Sequence, residues 1–325
     1  MTMMNMRGIL VAAALALLQV QFVSAQGYPI KPIRMILPFP PGASTDIIAR
    51  VIAQKLSEAF NKQVVTDNRG GAGGIIAMQL AANAAPDGYT IVFSSAAVLS
   101  INPAFRVKLP YDPLKDFAPV SLIATMPLML LAHPSLPVKT VQDLITLAKA
   151  KPGHLNFASG GVGSITGLAM ELLKSMTGAD IVSIPYVGGG PGIAATLANE
   201  AQLVFPGMAA ALPLVKEGRL RGIGITSAKR TAAAPEFPTI AESGVPGYEV
   251  VNWFAIVAPA TTPKLVIARL NAEIVKALNA ADTRKRFLGL AVDPASSTPD
   301  ELAAFNRSEI AKWTKVIKFA GIKPK

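Results

Sequence analysis

Apolar residues along this chain follow two periods in turn, and the alternation predicts a sheet flanked by helices. The apolar run at Ile33–Leu37 is typical of a strand. The next segment, residues 45–60, repeats apolar residues about every 3.6 positions, as an amphipathic helix does. Strand, helix and strand then follow at 63–66, 74–84 and 89–93. Strands that alternate with helices predict an α/β fold with a parallel sheet.

A second block with the same pattern begins after a proline-rich stretch at residues 102–119. Thr140 and Asp143 form a capping-box signal for a helix that ends near residue 151. The remaining predicted strands lie at 155–158, 181–185, 203–205 and 221–226. Three helices are predicted between them: one at 164–176, one that begins near residue 191, and one that continues through residue 215. The last part of the chain is predicted to be helical at 262–279, with Thr262 as the N-cap, and again at 298–319.

Two long β-prone runs, at residues 119–132 and 248–259, have no helical pattern, and we interpret them as crossings between the two blocks. We therefore expect two α/β lobes, one formed by residues 26–128 and 254–325 and the other by residues 129–253. The carboxyl ends of strands from both lobes would meet at a cleft, which is where α/β folds bind their ligands.

The first 25 residues are expected to be a secretory signal peptide that is cleaved off. Arg7 supplies the positive start, residues 9–20 are apolar, and Val23-Ser24-Ala25 fits the small-residue cleavage pattern. The alternative is a membrane anchor, but the apolar run is shorter than the roughly 20 residues that span a bilayer. The mature protein would then begin at Gln26 in a bacterial periplasm.

Composition narrows the class of protein further. The chain has 325 residues and no cysteine, so its core must hold the fold without disulfides and it cannot be a lipoprotein. Its net charge of +11 is spread out, and its sparse aromatic residues do not interleave with basic ones. We therefore expect no nucleic-acid partner, and the diffuse charge favours mild steering of anionic small molecules.

Two turns that follow predicted strands form the candidate ligand site. One spans residues 38–46 and the other 158–167, and each leads from a strand into a helix. A helix N-terminus presents free N–H groups and the positive end of a dipole, and so binds anions without a cationic side chain. The expected ligand-binding residues are Phe39, Gly42, Ala43, Ser44, Asp46, Ser95, Ser159, Gly160, Gly161, Gly163, Ser164 and Gly190.

Several of these residues also have a structural interpretation. Asp46 is expected to hold the first loop by accepting backbone N–H groups rather than to contact the ligand. Gly160, Gly161 and Gly163 are expected to expose their N–H groups. Ser164 can be either a ligand donor or the N-cap of its helix, and the spacing leaves both open. The glycine run at 70–74 favours close helix packing over an anion-binding nest.

Motifs for catalysis are missing from the sequence. It has no complete G-x-G-x-x-G, P-loop or G-x-S-x-G motif. His133 and His154 lie in separate turns without carboxylates at metal-ligand spacing, so we expect no metal and no cofactor. This pattern favours ligand capture without catalysis. The alternative is a secreted hydrolase that uses Ser159 or Ser164, which would need a base within reach.

Ordered short motifs run through the mature chain. They include Pro38-Phe39-Pro40-Pro41-Gly42 with Asp46, Asn68-Arg69, Ala85-Pro86-Asp87-Gly88-Tyr89-Thr90, Leu109-Pro110-Tyr111-Asp112-Pro113, Ala158-Ser159 with Gly161, Gly163 and Ser164, Pro238-Thr239-Ile240-Ala241-Glu242-Ser243-Gly244, Trp253 and Lys312-Trp313. Together they resemble the solute-binding proteins of tripartite tricarboxylate transporters, the Bug or TctC-type receptors.

The resemblance implies a two-lobed periplasmic binding protein of type II, or Venus-flytrap, architecture. Members of that family grip a ligand carboxylate between the two loops, largely through backbone N–H groups and water, and deliver it to membrane permease subunits. The expected partners are therefore a small organic carboxylate and a permease, with the receptor itself a monomer. A ligand-sensing partner of a membrane kinase is a further alternative.

Departures from the family pattern bear on the ligand. This chain has Ala43 where the family usually has a second glycine, Val187-Gly188 where many members have Lys-Gly, and Ala195 where many have aspartate. The last two changes remove charge near the site. They favour a carboxylate that is less polar than citrate or an amino acid, including an aromatic one.

Overall fold

Two mixed β-sheets, each flanked by helices, form the part of the chain that the computed structural model describes. That part comprises residues 27–39, 41, 44–105, 108–161, 163–186 and 189–322. The predicted signal peptide, residues 1–25, lies outside it.

The elements alternate along the chain as the sequence predicts. The strands are β1 (Ile33–Leu37), β2 (Val64–Asn68), β3 (Thr90–Ser95), β4 (Phe117–Pro127), β5 (Met129–Ala132), β6 (Leu155–Ser159), β7 (Ile181–Pro185), β8 (Leu203–Val204), β9 (Arg221–Ile225), β10 (Val251–Pro259) and β11 (Asp293–Pro294). The α-helices are α1 (Ser44–Phe60), α2 (Ile75–Ala82), α3 (Asn102–Phe105), α4 (Val141–Ala150), α5 (Ile165–Thr177), α6 (Gly189–Leu197), α7 (Met208–Lys216), α8 (Lys264–Asn279), α9 (Ala281–Gly289) and α10 (Pro299–Phe319).

The first sheet has the strand order β11-β4-β10-β3-β1-β2. Strands β1, β2 and β3 are parallel, and β10 runs antiparallel to both β3 and β4. Along β1, Met35 and Leu37 pack into one core cluster, whereas Ile36 packs into another. Because successive side chains of a strand point to opposite faces, the apolar run shows that this sheet is covered on both sides.

The second sheet has the order β7-β6-β8-β5-β9. Strands β6, β7 and β8 are parallel, and β5 is antiparallel to β8 and β9. Thr140 caps α4 through the predicted capping box with Asp143, and both reciprocal hydrogen bonds are present. The second block of the sequence therefore has its own sheet and its own helices.

The two predicted crossings are confirmed as strands that lead from one sheet to the other. β4 belongs to the first sheet and β5, one residue later, to the second. β10 returns the chain to the first sheet, where Val251 pairs with Pro127 of β4. The fold is thus a two-lobed α/β structure, and we propose the lobe boundaries given by the sequence, 26–128 with 254–325 and 129–253.

The C-terminal helix α10 packs on both lobes. Leu302, in its first turns, belongs to a core cluster with residues of β3 and β10. Trp313, Val316 and Ile317, toward its end, belong to a cluster with residues of β5, β6 and α5. The helix therefore adds a third link beside the two crossings.

One local prediction was wrong, and one short helical segment was not predicted. Thr262 is not the N-cap of α8: Pro263 occupies that position, and the Thr262 hydroxyl donates to the Pro259 carbonyl at 2.8 Å instead. The proline-rich stretch starting at residue 102 begins with helix α3, which continues a five-residue π-helix, Ala97–Ile101. Short helical turns of this kind give no apolar period long enough to recognise in a sequence.

Candidate functional site

Three helices of the second lobe begin at the same edge of its sheet. The parallel strands β6, β7 and β8 are followed by α5, α6 and α7, respectively. The first turn of a helix has N–H groups without an acceptor in the helix, and it carries the positive end of the helix dipole. Three such ends at one sheet edge favour an anion there.

A cavity of about 270 Å³ lies at this edge. Its lining is glycine and apolar residues with a single hydroxyl, that of Thr166, and none of the described residues that line it is charged. The residues are Ala158, Gly160, Thr166, Gly190, Gly192, Ile193, Val204, Phe205, Pro206, Gly207 and Ala210. Two predicted ligand residues, Gly160 and Gly190, are among them. The cavity can therefore hold an anionic group at the helix ends and an apolar group against its walls.

The hydroxyl groups of the second-lobe loop hold the loop itself. The Gly160 amide donates to Thr166 Oγ1 at 3.0 Å, and the Gly161 amide donates to Ser159 Oγ at 3.3 Å. The expectation that these two amides are exposed is therefore wrong in this structure, because hydroxyls of the same loop accept them. The amides of Ile165 and Thr166, at the first two positions of α5, have no acceptor within the helix.

Ser164 is the N-cap of α5. Its hydroxyl accepts from the Gly167 amide at 3.0 Å and lies 3.1 Å from Thr166 Oγ1. Of the two roles that the sequence left open, the structure shows the structural one. Gly163, beside it, has a φ of 78°, a conformation that favours glycine, and the Phe105 ring lies 3.5 Å from where a Cβ would stand.

A smaller cavity of about 180 Å³ lies on the other side of this loop. Ser159, Gly161 and Gly163 line it, together with Glu171 and Ser183. Glu171 is paired with Lys174 at 3.1 Å and accepts from the Ser183 hydroxyl at 3.0 Å. Because Glu171 lies in its wall, this cavity suits an anion less well than the one at the helix ends. The predicted loop residues are thus divided between two cavities.

The first-lobe loop is held by Asp46, which is 4% exposed. Its carboxylate accepts from Asn68 Nδ2 at 2.9 Å and from Arg50 Nε at 3.0 Å. Asn68 Nδ2 also donates to the Phe39 carbonyl at 3.1 Å, so one amide group ties the loop to α1. Asp46 is thus joined to the loop through side-chain donors, whereas the predicted acceptance of backbone N–H groups stays a prediction.

The other predicted residues of the first lobe lie near this loop. Phe39 is half-buried just after β1, and Ser95 is buried at the carboxyl end of β3, the strand beside β1. Gly42 and Ala43 lie outside the described residues, and Ser44 begins α1. Phe39 and Ser95 therefore share the edge of the first sheet at which parallel strands end.

The comparison with known proteins identifies the family. Residues 48–322 match the family described as "Tripartite tricarboxylate transporter family receptor". The chain belongs to this family. Protein BugT of Bordetella pertussis is 39% identical to it over 304 residues, which are 93% of each chain.

Solved structures show the same architecture as this receptor. The structure of R. palustris Rpa4515 with adipate has a TM-score of 0.78 at 36% identity and covers 92% of this chain and 100% of that one. MatC from Rhodopseudomonas palustris with bound malate has a TM-score of 0.71 at 31% identity, with coverage of 89% and 100%. The receptor thus has the two-lobed fold of the periplasmic solute-binding proteins.

Sequence reasoning missed much of the cavity wall of the receptor. Ile193, Phe205, Pro206 and Ala210 line it but were predicted only as parts of strands and helices. The one available signal was Gly207, which follows a strand and precedes a helix, as the glycines of the two predicted loops do.

Neither histidine of the receptor is near the candidate serines. The His133 ring lies 2.7 Å from the Ser135 hydroxyl, and His154 lies in the turn before β6. Among the residues that the structure describes, Ser159 and Ser164 have no histidine partner, and no group of three or more acidic or histidine side chains could hold a metal ion. The hydrolase alternative therefore gains no support. Within the same residues, no helix is both long and apolar enough to cross a membrane.

Proposed function

We propose that this receptor captures a small organic carboxylate between its two lobes. The observation that carries the proposal is the uncharged cavity at the N-termini of α5, α6 and α7. A carboxylate there gains from the helix dipoles and from first-turn N–H groups that have no acceptor within their own helices. Hydrogen bonds to a charged group are worth about 1.5–3 kcal/mol each, so several of them can hold a carboxylate without any cationic side chain.

The first lobe would supply the opposite face of the site. Phe39, Ser44 and Ser95 are the residues that we propose to contact the ligand there, with Gly42 and Ala43 in the turn between them. The arginines at this edge are already engaged, since Arg50 pairs with Asp46 and Arg69 pairs with Asp67 at 2.9 Å. Ligand charge would therefore be met by backbone groups in both lobes.

Solved relatives support this ligand class. Rpa4515 is described with adipate and MatC with malate, and both compounds are small carboxylates. The apolar walls at Ile193, Val204 and Phe205 favour a carboxylate with an apolar body, aliphatic or aromatic, over a highly charged one.

The family description supports a role in a transport system. We propose that it acts in the periplasm after removal of residues 1–25, and that its closed form is recognised by the membrane permease subunits of a tripartite tricarboxylate transporter. One chain supplies both lobes and hence both faces of the cleft, so a monomer is sufficient for capture.

Calorimetric titration at low salt tests the proposal. The panel is adipate, malate, benzoate and phenylacetate, with adipamide and benzamide as uncharged matches. We expect one-to-one binding of at least one carboxylate and much weaker binding of its amide. Failure of every carboxylate to bind to the folded protein would contradict the proposal, as would equal affinity for acid and amide.

A further inference from the structure

A single buried carboxylate joins both tryptophans of the chain. Glu309 lies near the middle of α10 and is 4% exposed. Its Oε2 atom accepts the indole N–H of Trp253 and the indole N–H of Trp313, each at 3.2 Å. The sequence contains only these two tryptophans. The indole N–H groups of both therefore donate to the same oxygen atom.

The two tryptophans pack into the cores of different lobes. Trp253 lies on β10 and packs into the first-lobe cluster that contains Ile36 and Leu302. Trp313 lies on α10 and packs into the second-lobe cluster that contains Tyr248 and Leu168. Neither ring is exposed to solvent. The Glu309 carboxylate therefore bridges the cores of the two lobes.

Lys312 completes this arrangement. It forms an ion pair with Glu309 Oε1, and its ammonium group lies 4.7 Å from the centre of the Trp313 ring. It also donates to the Glu249 carbonyl at 3.3 Å, two residues before β10 begins. The cation thus ties α10 to the chain segment that returns from the second lobe.

A carboxylate is costly to bury unless donors satisfy both of its oxygens. Here Trp253 donates from β10 of the first sheet, whereas Trp313 lies one turn after Glu309 on α10 and packs into the second-lobe cluster. Trp253 therefore reaches the carboxylate only while α10 keeps its position on the first sheet. A rotation of the second lobe that carried Trp313 and α10 with it would separate Glu309 from Trp253 and leave a buried charge short of a donor. Networks of this kind therefore specify one arrangement of the elements that they join.

We propose that Glu309 is a positioning residue that fixes the orientation of the two lobes through Trp253 and Trp313. It contacts neither of the cavities described above and acts on capture only through the lobes. The proposal does not depend on the identity of the ligand.

Distance measurements between spin labels test this role without a ligand. The chain has no cysteine, so Ile76→Cys on α2 and Ala209→Cys on α7, both at exposed positions, place one label on each lobe. Glu309→Ala removes the charge-assisted hydrogen bond to Trp253, so the ratio between lobe arrangements should shift by about tenfold. The distribution of distances between the two labels should therefore broaden. Glu309→Gln keeps an acceptor oxygen and should restore most of the original distribution.

Tyr111→Phe is the matched control. It removes a buried hydrogen bond, at 2.8 Å, from the Tyr111 hydroxyl to the Val98 carbonyl, which lies within the first lobe and does not involve α10. It should lower stability but leave the distance distribution unchanged. Trp253→Phe keeps an aromatic ring and removes one donor, so it should broaden the distribution as Glu309→Ala does. It replaces Glu309→Ala in the test if that variant does not fold.

Tryptophan fluorescence gives a second readout. Glu309→Ala should change the emission of Trp253 in the Trp313→Phe background and that of Trp313 in the Trp253→Phe background, because one carboxylate contacts both indoles. An unchanged distance distribution in folded Glu309→Ala or Trp253→Phe would overturn the proposal. Equal broadening in Tyr111→Phe would do so as well, because it would show a general effect of lost stability.

Discussion

Thr226 is joined to Leu128 through both its backbone and its hydroxyl. The Thr226 amide donates to the Leu128 carbonyl at 2.9 Å, and the Leu128 amide donates to Thr226 Oγ1 at 2.8 Å. The Thr226 carbonyl also accepts from the Val250 amide at 2.8 Å. Leu128 lies on the first crossing and Val250 just before β10 on the second, so one buried threonine ties both crossings together.

Thr226→Val should weaken this junction. Valine has the same shape but cannot accept a hydrogen bond, so the buried Leu128 amide loses its partner. We expect the free energy of unfolding to fall by about 1–3 kcal/mol in urea denaturation. Thr146→Val, at an exposed position where the hydroxyl bonds only to the Gln142 carbonyl, should change it by less than about 0.5 kcal/mol. Similar losses in both variants would contradict the role given to Thr226.

Asn68→Ala tests how the first-lobe loop is positioned. The substitution removes the group that joins Asp46 to the Phe39 carbonyl. Loss of one positioning bond of about 1.4 kcal/mol should weaken binding about tenfold for whichever carboxylate the titration selects. Asn83→Ala removes an exposed amide that bonds to the Gln79 carbonyl and is the control. Normal affinity in folded Asn68→Ala would show that the loop does not need this tie.

Much of the fold could be predicted because the periodic pattern is strong. The apolar run of β1 and the 3.6-residue period of α1 appear as expected. The capping signal at Thr140 and the helix start predicted at residue 298 both mark real helix starts. The π-helix and α3 could not be predicted, because each is shorter than the window in which a period can be recognised. The link through Glu309 was also out of reach, since it joins residues 56 positions apart in sequence.

Gly190→Ala tests which cavity holds the ligand. A Cβ at Gly190 would have no atom within 4 Å and would stand in open space at the wall of the larger cavity. We therefore expect unchanged stability and a weaker affinity for a ligand that fills this cavity, measured by calorimetry. Gly289→Ala on α9, where a Cβ also meets nothing within 4 Å, is the matched control. Equal affinity in both variants would show that the ligand does not bind in this cavity.

Asp293 should make stability depend on pH. Burial raises the pKa of its carboxyl above the ordinary value, in part offset by the bond from the Thr231 hydroxyl at 3.0 Å. The folded chain then holds this proton to a higher pH than the unfolded chain, so its contribution to stability is lost as pH rises through the raised pKa. Asp293→Asn removes that loss, and its stability relative to wild type should increase with pH.

The stability of Asp143→Asn relative to wild type should decrease as pH rises, the opposite of Asp293→Asn. Hydrogen bonds from the backbone amide of Lys139 and from Thr140 lower the pKa of Asp143, so its contribution is present above the ordinary carboxyl pKa and lost as pH falls through the lowered one. Urea denaturation of Asp293→Asn and Asp143→Asn between acidic and neutral pH compares how their stabilities change with pH. The same sign of change in both would contradict the assignment of burial as the dominant influence on Asp293.

The site residues could be predicted only as far as their loops. Strand–turn–helix patterns gave the Ser159–Ser164 loop, but not that the hydroxyls of Ser159 and Thr166 accept the Gly161 and Gly160 amides. Those bonds depend on how the loop folds back on α5, which spacing does not encode. The wall at Phe205 and Ile193 comes from two further elements that only the sheet order brings together.

A crystal structure of the receptor with its tightest-binding carboxylate is the most direct test of the central claim. We expect the carboxylate oxygens within about 3 Å of backbone N–H groups at the starts of α5, α6 or α7, with the ligand body against Ile193 and Phe205. A carboxylate held instead by a lysine or arginine side chain, or seated in the cavity beside Glu171, would contradict the claim that helix N-termini bind the ligand.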